Sequence, residues 1–420
     1  MDGITSAGQR GAASGLARLA RKSAIMGSTA IALAFAASAA QAQCTFPATL
    51  GSNVQQSINL GAATLNSIVG TITSLNVGFQ TQTSAFIGSP PDPQPGQLGG
   101  GSWIRGVAGR TDLSATTQGP VALGPIAIGP VNCESKSRTD YAGFQVGQDI
   151  ARLNLGGWNL HVGVTGGYSE TEGRTGISEA RFEVPFAGVY AALTGGGGFY
   201  IDGQARWDFY QMSLSDPVQF LRQQRLDGRG FSFASSTGYN IRLGNNFYVE
   251  PSAGVLVSRT RIDDLNFIAN VAGAGFTVPG TLSFDEIKST LARAGIRAGT
   301  SFTAGGMTLS PYGVVSVFHD FEGKASGNYT SHCGFPGSGC VNVANGAVVP
   351  FEFLTGLNSS SVGTFGQYSL GITGQVTNTG WLGYARVDFR KGDNIEGVGM
   401  NGGIRYQFSP ASRGALSAKF

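Results

Sequence analysis

Three histidines hold this chain's capacity for proton transfer, and their neighbours argue against catalysis. His161, His319 and His332 would each need a Ser, Asp or Asn partner within hydrogen-bond reach to act as a general base. His319 adjoins Asp320, but neighbouring side chains of an extended segment point to opposite faces, so the two form no dyad. His161 falls mid-segment on a polar face, away from any rim where a site could open. Gly195-Gly196-Gly197 does not lead a strand into a helix, so no phosphate loop is read there. His332 beside Cys333 lacks a second His or Cys pair at zinc spacing. No enzyme activity, no metal and no cofactor is expected.

The more informative constellation is ionic. Asp202, Gln204, Arg206 and Asp208 alternate with Ile201, Gly203, Ala205, Trp207 and Phe209, so one face of the segment is charged and the other apolar. Glu250, Arg293, Arg297, Arg386, Asp388 and Arg405 hold equivalent polar positions in other segments. A charge in hydrocarbon costs about 2–4 kcal/mol, so these groups require water or one another. Their mixed signs predict a wet lumen laced by salt bridges, His161 included among its wet side chains, not a strongly ion-selective pore.

The elements that must position those charges are strands. Phe199 and Phe209 place aromatics at both ends of an apolar face; ten residues at about 3.3 Å each, tilted near 40°, project to about 25 Å. That is the height of a membrane β-barrel's apolar band. Trp158, Leu160, Val162 and Val164 repeat the pattern, as do Trp381, Ala385, Val387 and Phe389. Phe182, Val184 and Phe186 are assigned to the same outward face, against Arg181 and Glu183. Strands are expected near 102–112, 138–151, 157–169, 180–193, 198–212, 229–243, 247–261, 286–301, 307–321, 363–376, 381–390 and 395–408. Short turns alternate with longer loops near 113–137, 170–179, 213–228, 262–285 and 322–362, the asymmetry of an outer-membrane barrel. The fold class is all-β: a 12-stranded antiparallel transmembrane barrel over residues 101–408, with a short N-terminal helix.

Both ends of the sequence fit export. Arg18, Arg21 and Lys22 precede the apolar run Ile25 to Ala39 and the small-x-small triplet Ala40-Gln41-Ala42. Residues 1–42 therefore read as a signal peptide, with Gln43 the first mature residue. Gln43 before Cys44 does not suit lipidation, and no later run of 18 apolar residues offers a helical span. The formal charge of +3 disappears with that segment, since Arg10, Arg18, Arg21 and Lys22 lie in it against Asp2. A neutral mature chain gives no electrostatic support for a nucleic-acid partner. Charged residues make up 13% of the chain and Gly 66 of its residues, a composition suited to many strands with tight turns.

In an oxidising compartment disulfides are permitted. Cys333 and Cys340 enclose Gly-Phe-Pro-Gly-Ser-Gly and are expected to pair; Cys44 with Cys133 remains by elimination. Between the signal segment and the barrel, residues 43–100 contain Val54, Ile58, Leu65, Ile68, Val69, Ile72 and Leu75 at near-helical spacing. Pro90, Pro91, Pro93 and Pro95 then stiffen the linker. This helix either plugs the lumen or lies in the periplasm against a partner.

Met400 to Phe408 alternates apolar and polar and ends on Tyr-x-Phe, with Ile404, Tyr406 and Phe408 on the apolar face. It resembles the C-terminal signal read by the barrel-insertion machinery, which leaves residues 409–420 as a tail. Gly101-Ser102-Trp103-Ile104-Arg105-Gly106, Val249-Glu250-Pro251-Ser252-Ala253, Leu309-Ser310-Pro311-Tyr312 and Arg293-Ala294-Gly295-Ile296-Arg297 together resemble the autotransporter translocator domain. That resemblance implies a cell outer-membrane, translocator-like surface protein, here without a large passenger, whose partners are the bilayer and the insertion machinery. A monomer is expected. A small passive-diffusion pore and an adhesion protein acting through external loops are the alternatives.

Overall fold

The computed structural model describes residues 42–45, 52–80, 93–123, 126–195, 197–217, 221–244, 246–271, 276–331, 353–377 and 379–408. In chain order these form β1 (Ala42–Thr45), α1 (Ser52–Leu75) closed by a π-turn at Asn76–Gln80, β2 (Gln97–Leu123), β3 (Ile126–Leu155), β4 (Trp158–Thr175) and β5 (Ser178–Gly195). There follow β6 (Phe199–Asp216), β7 (Leu221–Tyr239), β8 (Ile241–Gly244), β9 (Phe247–Ile262), β10 (Leu265–Val271), β11 (Phe276–Phe284) and β12 (Ile287–Thr300). The chain continues through β13 (Phe302–Ala304), β14 (Met307–Asp320), β15 (Ser326–Ser331), β16 (Phe353–Ser359), β17 (Thr364–Val376), β18 (Trp381–Gly392) and β19 (Ile395–Gln407).

Twelve of these strands close into an antiparallel ring, β2-β3-β4-β5-β6-β7-β9-β12-β14-β17-β18-β19 and back to β2. The seam runs from Ile395↔Leu113 to Gln407↔Gly101, so the ring has no free edge. β8 and β13 continue β7 and β12 at the short-turn end. There Gly305 and Gly306 take φ of 57° and 75° in the link from β13 to β14. A two-residue hairpin with both φ positive needs residues of this type.

All twelve expected ring strands are present, but several expected loops are not loops. Residues 113–137 form a hairpin in which β2 and β3 stay paired up to Leu123↔Ile126. Within this hairpin Pro120 faces Pro130 across the ladder. β16 pairs with β2 on either side of Gly119-Pro120 and skips those two, as a residue without an N–H requires. β10, β11, β15 and β16 complete this raised wall, pairing in that order and joining β2.

The raised wall inverts the polarity of the ring below it. In the ring's central belt Val162, Val164, Ile201, Trp207, Phe233, Val315, Leu370 and Met400 are exposed on the outside, and Arg206, Asp208, Asp388 and Arg405 are buried inside. Above that belt Leu113, Val131, Phe182, Val184, Met212 and Leu282 are buried inside, and Arg110, Glu134, Lys136, Arg181 and Glu183 face out. This corrects the sequence assignment of Phe182, Val184 and Phe186, which are 0%, 0% and 4% exposed and point inward. The period of two is real, but at that height water lies outside and an apolar core inside.

Candidate functional site

The site is the interior of the ring, occupied by α1. From Ile58 to Phe79 nearly every helix and π-turn residue is buried, on the polar side as well as the apolar. Ile58, Leu65, Ile68, Ile72, Leu75 and Phe79 share one core with Leu113, Val131, Phe182, Met212, Leu282 and Leu357 of the wall. Each fully buried side chain of this size contributes about 1.5–3 kcal/mol. Two glycines that weaken the helix reading in sequence are where the wall comes close. A Cβ at Gly61 would lie 2.6 Å from Leu357, and one at Gly70 would lie 2.7 Å from Thr139.

Polar groups fix the helix in register. Asn66 Nδ2 donates to Ser135 Oγ at 3.0 Å on β3, and Asn76 Nδ2 donates to Ser258 Oγ at 3.0 Å on β9. The helix thus touches walls that are well separated around the ring. At its lower end the Arg105 guanidinium donates to the Phe79 carbonyl, and the Phe79 ring meets Phe186 edge-on at 5.4 Å. A cation at a helix C-terminal carbonyl also complements the macrodipole.

At the upper end β1 pairs with β3 through Ala42↔Ser135 and Cys44↔Cys133, and those two cysteines form a disulfide. This pair, reached in sequence only by elimination, is joined in the structure. The expected partners Cys333 and Cys340 lie outside the described residues. So do residues 1–41 of the expected signal peptide 1–42, and the tail 409–420.

Beneath the helix tip the charges form a lattice that is buried except at the half-buried Arg293. Arg206 Nε meets Asp208 Oδ1 at 2.8 Å, and Arg386 Nε meets Asp388 Oδ1 at 2.8 Å. Glu250 is 3.5 Å from Arg297, whose guanidinium lies 4.6 Å from the Tyr312 ring centre. Asp202 accepts from Ser236 Oγ at 2.8 Å, and Arg293 donates to Ser252 Oγ at 3.3 Å. Arg405 grips Asp149 with two bonds, at 2.6 and 2.9 Å. The same carboxylate takes His161 Nδ1 at 2.9 Å and the Tyr190 hydroxyl at 2.9 Å, and Trp103 Nε1 donates to that hydroxyl at 2.8 Å.

Of the nine charged residues singled out in sequence, Asp202, Arg206, Asp208, Glu250, Arg297, Arg386, Asp388 and Arg405 are buried and Arg293 is half-buried. Asp149 and Tyr190 were missed, although Gln145, Gly147 and Asp149 already alternate with Phe144, Val146 and Ile150. His161 is fully buried rather than bathed in lumen water. His319 is exposed and Asp320 buried, on opposite faces as adjacent strand residues must be. Ile404, Tyr406 and Phe408 are 51%, 40% and 48% exposed on the outer face. Among the described residues no group of three or more His, Cys, Asp or Glu could hold a metal ion. No described helix is long and apolar enough to cross a membrane, which says nothing of crossing by strands.

A family model described as autotransporter beta-domain matches residues 132–346. Among solved structures, the transport unit of the autotransporter AIDA-I from Escherichia coli is 16% identical, with a TM-score of 0.53 over 81% of this chain and 98% of that one. The β domain of the Bordetella autotransporter BrkA is 19% identical at a TM-score of 0.49, covering 73% of this chain and 98% of that one. The AIDA-I likeness shows a shared fold. No curated protein matches the sequence.

Proposed function

The chain belongs to the autotransporter beta-domain family, an outer-membrane family, and from that premise we propose that it is a translocator-type surface barrel closed by its own amino-terminal helix. The observation that carries this reading is the burial of α1 inside the ring, between a disulfide at one end and Arg105 at the other. With the short turns in the periplasm, the path enters at the outer rim through β1, descends as α1, and reaches β2 from the periplasmic end. Residues 1–42 act as the signal peptide, and residues 43–100 form plug and linker. The protein works as a monomer in the bilayer. The lattice of Asp202, Arg206, Asp208, Glu250, Arg293, Arg297, Arg386, Asp388 and Arg405 lines the remaining lumen.

Deleting residues 43–90 is expected to raise single-channel conductance in planar bilayers several-fold. Equal conductance of full-length and truncated protein would favour the passive-diffusion pore and remove the plug. Ile404, Tyr406 and Phe408 serve as the insertion signal. On that reading Phe408→Ala lowers the yield of folded barrel in the outer membrane more than removal of residues 409–420. The reverse ranking would move the signal to the tail.

A further inference from the structure

Two flanks of the barrel carry exposed charge just above the apolar belt, and they balance it differently. On the flank built from β2 to β5 four arginines have carboxylates. Arg110 meets Asp140 at 2.6 Å, Arg138 meets Asp112 at 2.9 Å, Arg181 meets Glu170 at 2.5 Å, and Arg174 pairs with Glu172. The Arg110 and Arg181 guanidinium groups are accordingly held above their ordinary value, Arg110 first by its hydrogen bond to Asp140 and Arg181 first by the charge of Glu170.

The opposite flank, on β7, β9 and β12, sets like charges face to face. Arg229 lies directly across from Arg261, and Arg259 directly across from Lys288. All four are exposed. Side chains directly opposite in a ladder have Cβ atoms about 4.5–5.5 Å apart, and like charges there destabilise the sheet. Only Arg261 has a carboxylate, Glu286 at 2.7 Å; among the described residues Arg229, Arg259 and Lys288 have none within ion-pair distance. Asp227 and Asp263 stand one row higher, away from the belt.

Height gives the cluster its meaning. Arg229 is opposite Phe209, and Arg259 is opposite Phe231, whose ring packs on Trp207 at 5.3 Å. These aromatics form the upper edge of the apolar belt. The cations therefore sit at the level of lipid headgroups, not at a loop tip.

We propose that the Arg229, Arg259, Arg261 and Lys288 face binds the phosphate groups of an anionic lipid of the outer leaflet. The acyl chains of that lipid would lie on Phe209, Phe231 and Phe233. Phosphate oxygens placed between the two like-charged pairs relieve the repulsion that the bare barrel carries. The assignment to the outer leaflet rests on the proposed orientation of the barrel. Binding to a purified lipid does not, so failure of one is distinguishable from failure of the other.

The test uses the full-length folded protein in uncharged detergent, with lipid A as the bis-phosphorylated probe and its dephosphorylated form as the control. Arg229→Ser/Arg259→Ser/Lys288→Ser is expected to weaken lipid A binding by at least ~10-fold, because each cation near an anionic lipid surface adds to its attraction. The dephosphorylated form should show no such difference, and millimolar inorganic phosphate should not displace lipid A. Arg110→Ser/Arg138→Ser/Arg174→Ser, on the paired flank, should leave binding within about twofold.

Equal loss from both triple variants would reduce the effect to general positive charge and overturn the proposal, as would undiminished binding by the first. Displacement by inorganic phosphate would identify an anion site without lipid specificity, which also overturns it. Should the triple variant fail to fold, Arg229→Ser alone provides a second readout. It should raise the thermal unfolding temperature in uncharged detergent, where it removes one like-charge pair, and lower it once lipid A is added. A decrease in both media would contradict the role assigned to Arg229.

Discussion

The apolar belt and the chamber above it share strands but have opposite interiors. On β5, Val189 faces outward while Tyr190 and Ala192 are buried; a few residues earlier Phe182 and Val184 are buried while Arg181 and Glu183 face outward. Pleating does not change along the strand. The medium outside does, from hydrocarbon to water, and the medium inside changes in compensation, from an ionic lattice to the apolar side of α1. Where the two meet, Phe186 points inward with the Arg206 guanidinium 4.8 Å from its ring centre. That contact lets a charged layer and an apolar layer adjoin, as a cation over an aromatic face does elsewhere. A period of two therefore identifies a strand without identifying which face is dry.

The contrast breaks most severely in the chamber. Phe182→Ala should destabilise the barrel by about 3–5 kcal/mol, because a fully buried ring leaves a cavity against α1. Val189→Ala on the same strand removes lipid contact and should cost less than about 1 kcal/mol. Urea unfolding in lipid vesicles, followed by tryptophan fluorescence, measures both; equal losses would mean that β5 has one polarity throughout.

The outer face sharpens it at smaller magnitude. Val189→Arg puts a charge into hydrocarbon and should cost about 2–4 kcal/mol near the midplane. Glu183→Arg, in the water-facing row beside Glu170, should stay within about 0.5 kcal/mol of the native barrel by the same assay. A large penalty at position 183 would extend the membrane upward over the chamber.

This contrast also explains what the sequence revealed and what it hid. The ring strands were legible because aromatics such as Phe199 and Phe209 bracket an apolar face, and the inward charges because they alternate with it. Phe182 and Val184 obey the same alternation, so nothing in the residues themselves told which side of them was lipid. The raised hairpin was not legible: residues 113–137 contain Pro120 and Pro130, and a proline donates no N–H to a ladder, yet the two lie opposite each other in it. Gly61 and Gly70 lowered helix propensity locally, and only the proximity of Leu357 and Thr139 explains their presence. The Cys44–Cys133 pairing depends on β1 adding to β3, a contact between residues 89 apart that no local pattern announces.

α1 descends through the ring and ends against its far wall, and one contact measures this directly. Asn76 and Ser258 meet at 3.0 Å between the end of the helix and β9. In full-length protein purified from outer membranes, with Cys44→Ser removing the native tether, Asn76→Cys and Ser258→Cys together should form an oxidant-dependent cross-link. Mass spectrometry would detect it as a disulfide-linked peptide pair in nearly all molecules. Failure to cross-link in a correctly folded barrel would place the helix outside the lumen and contradict the account.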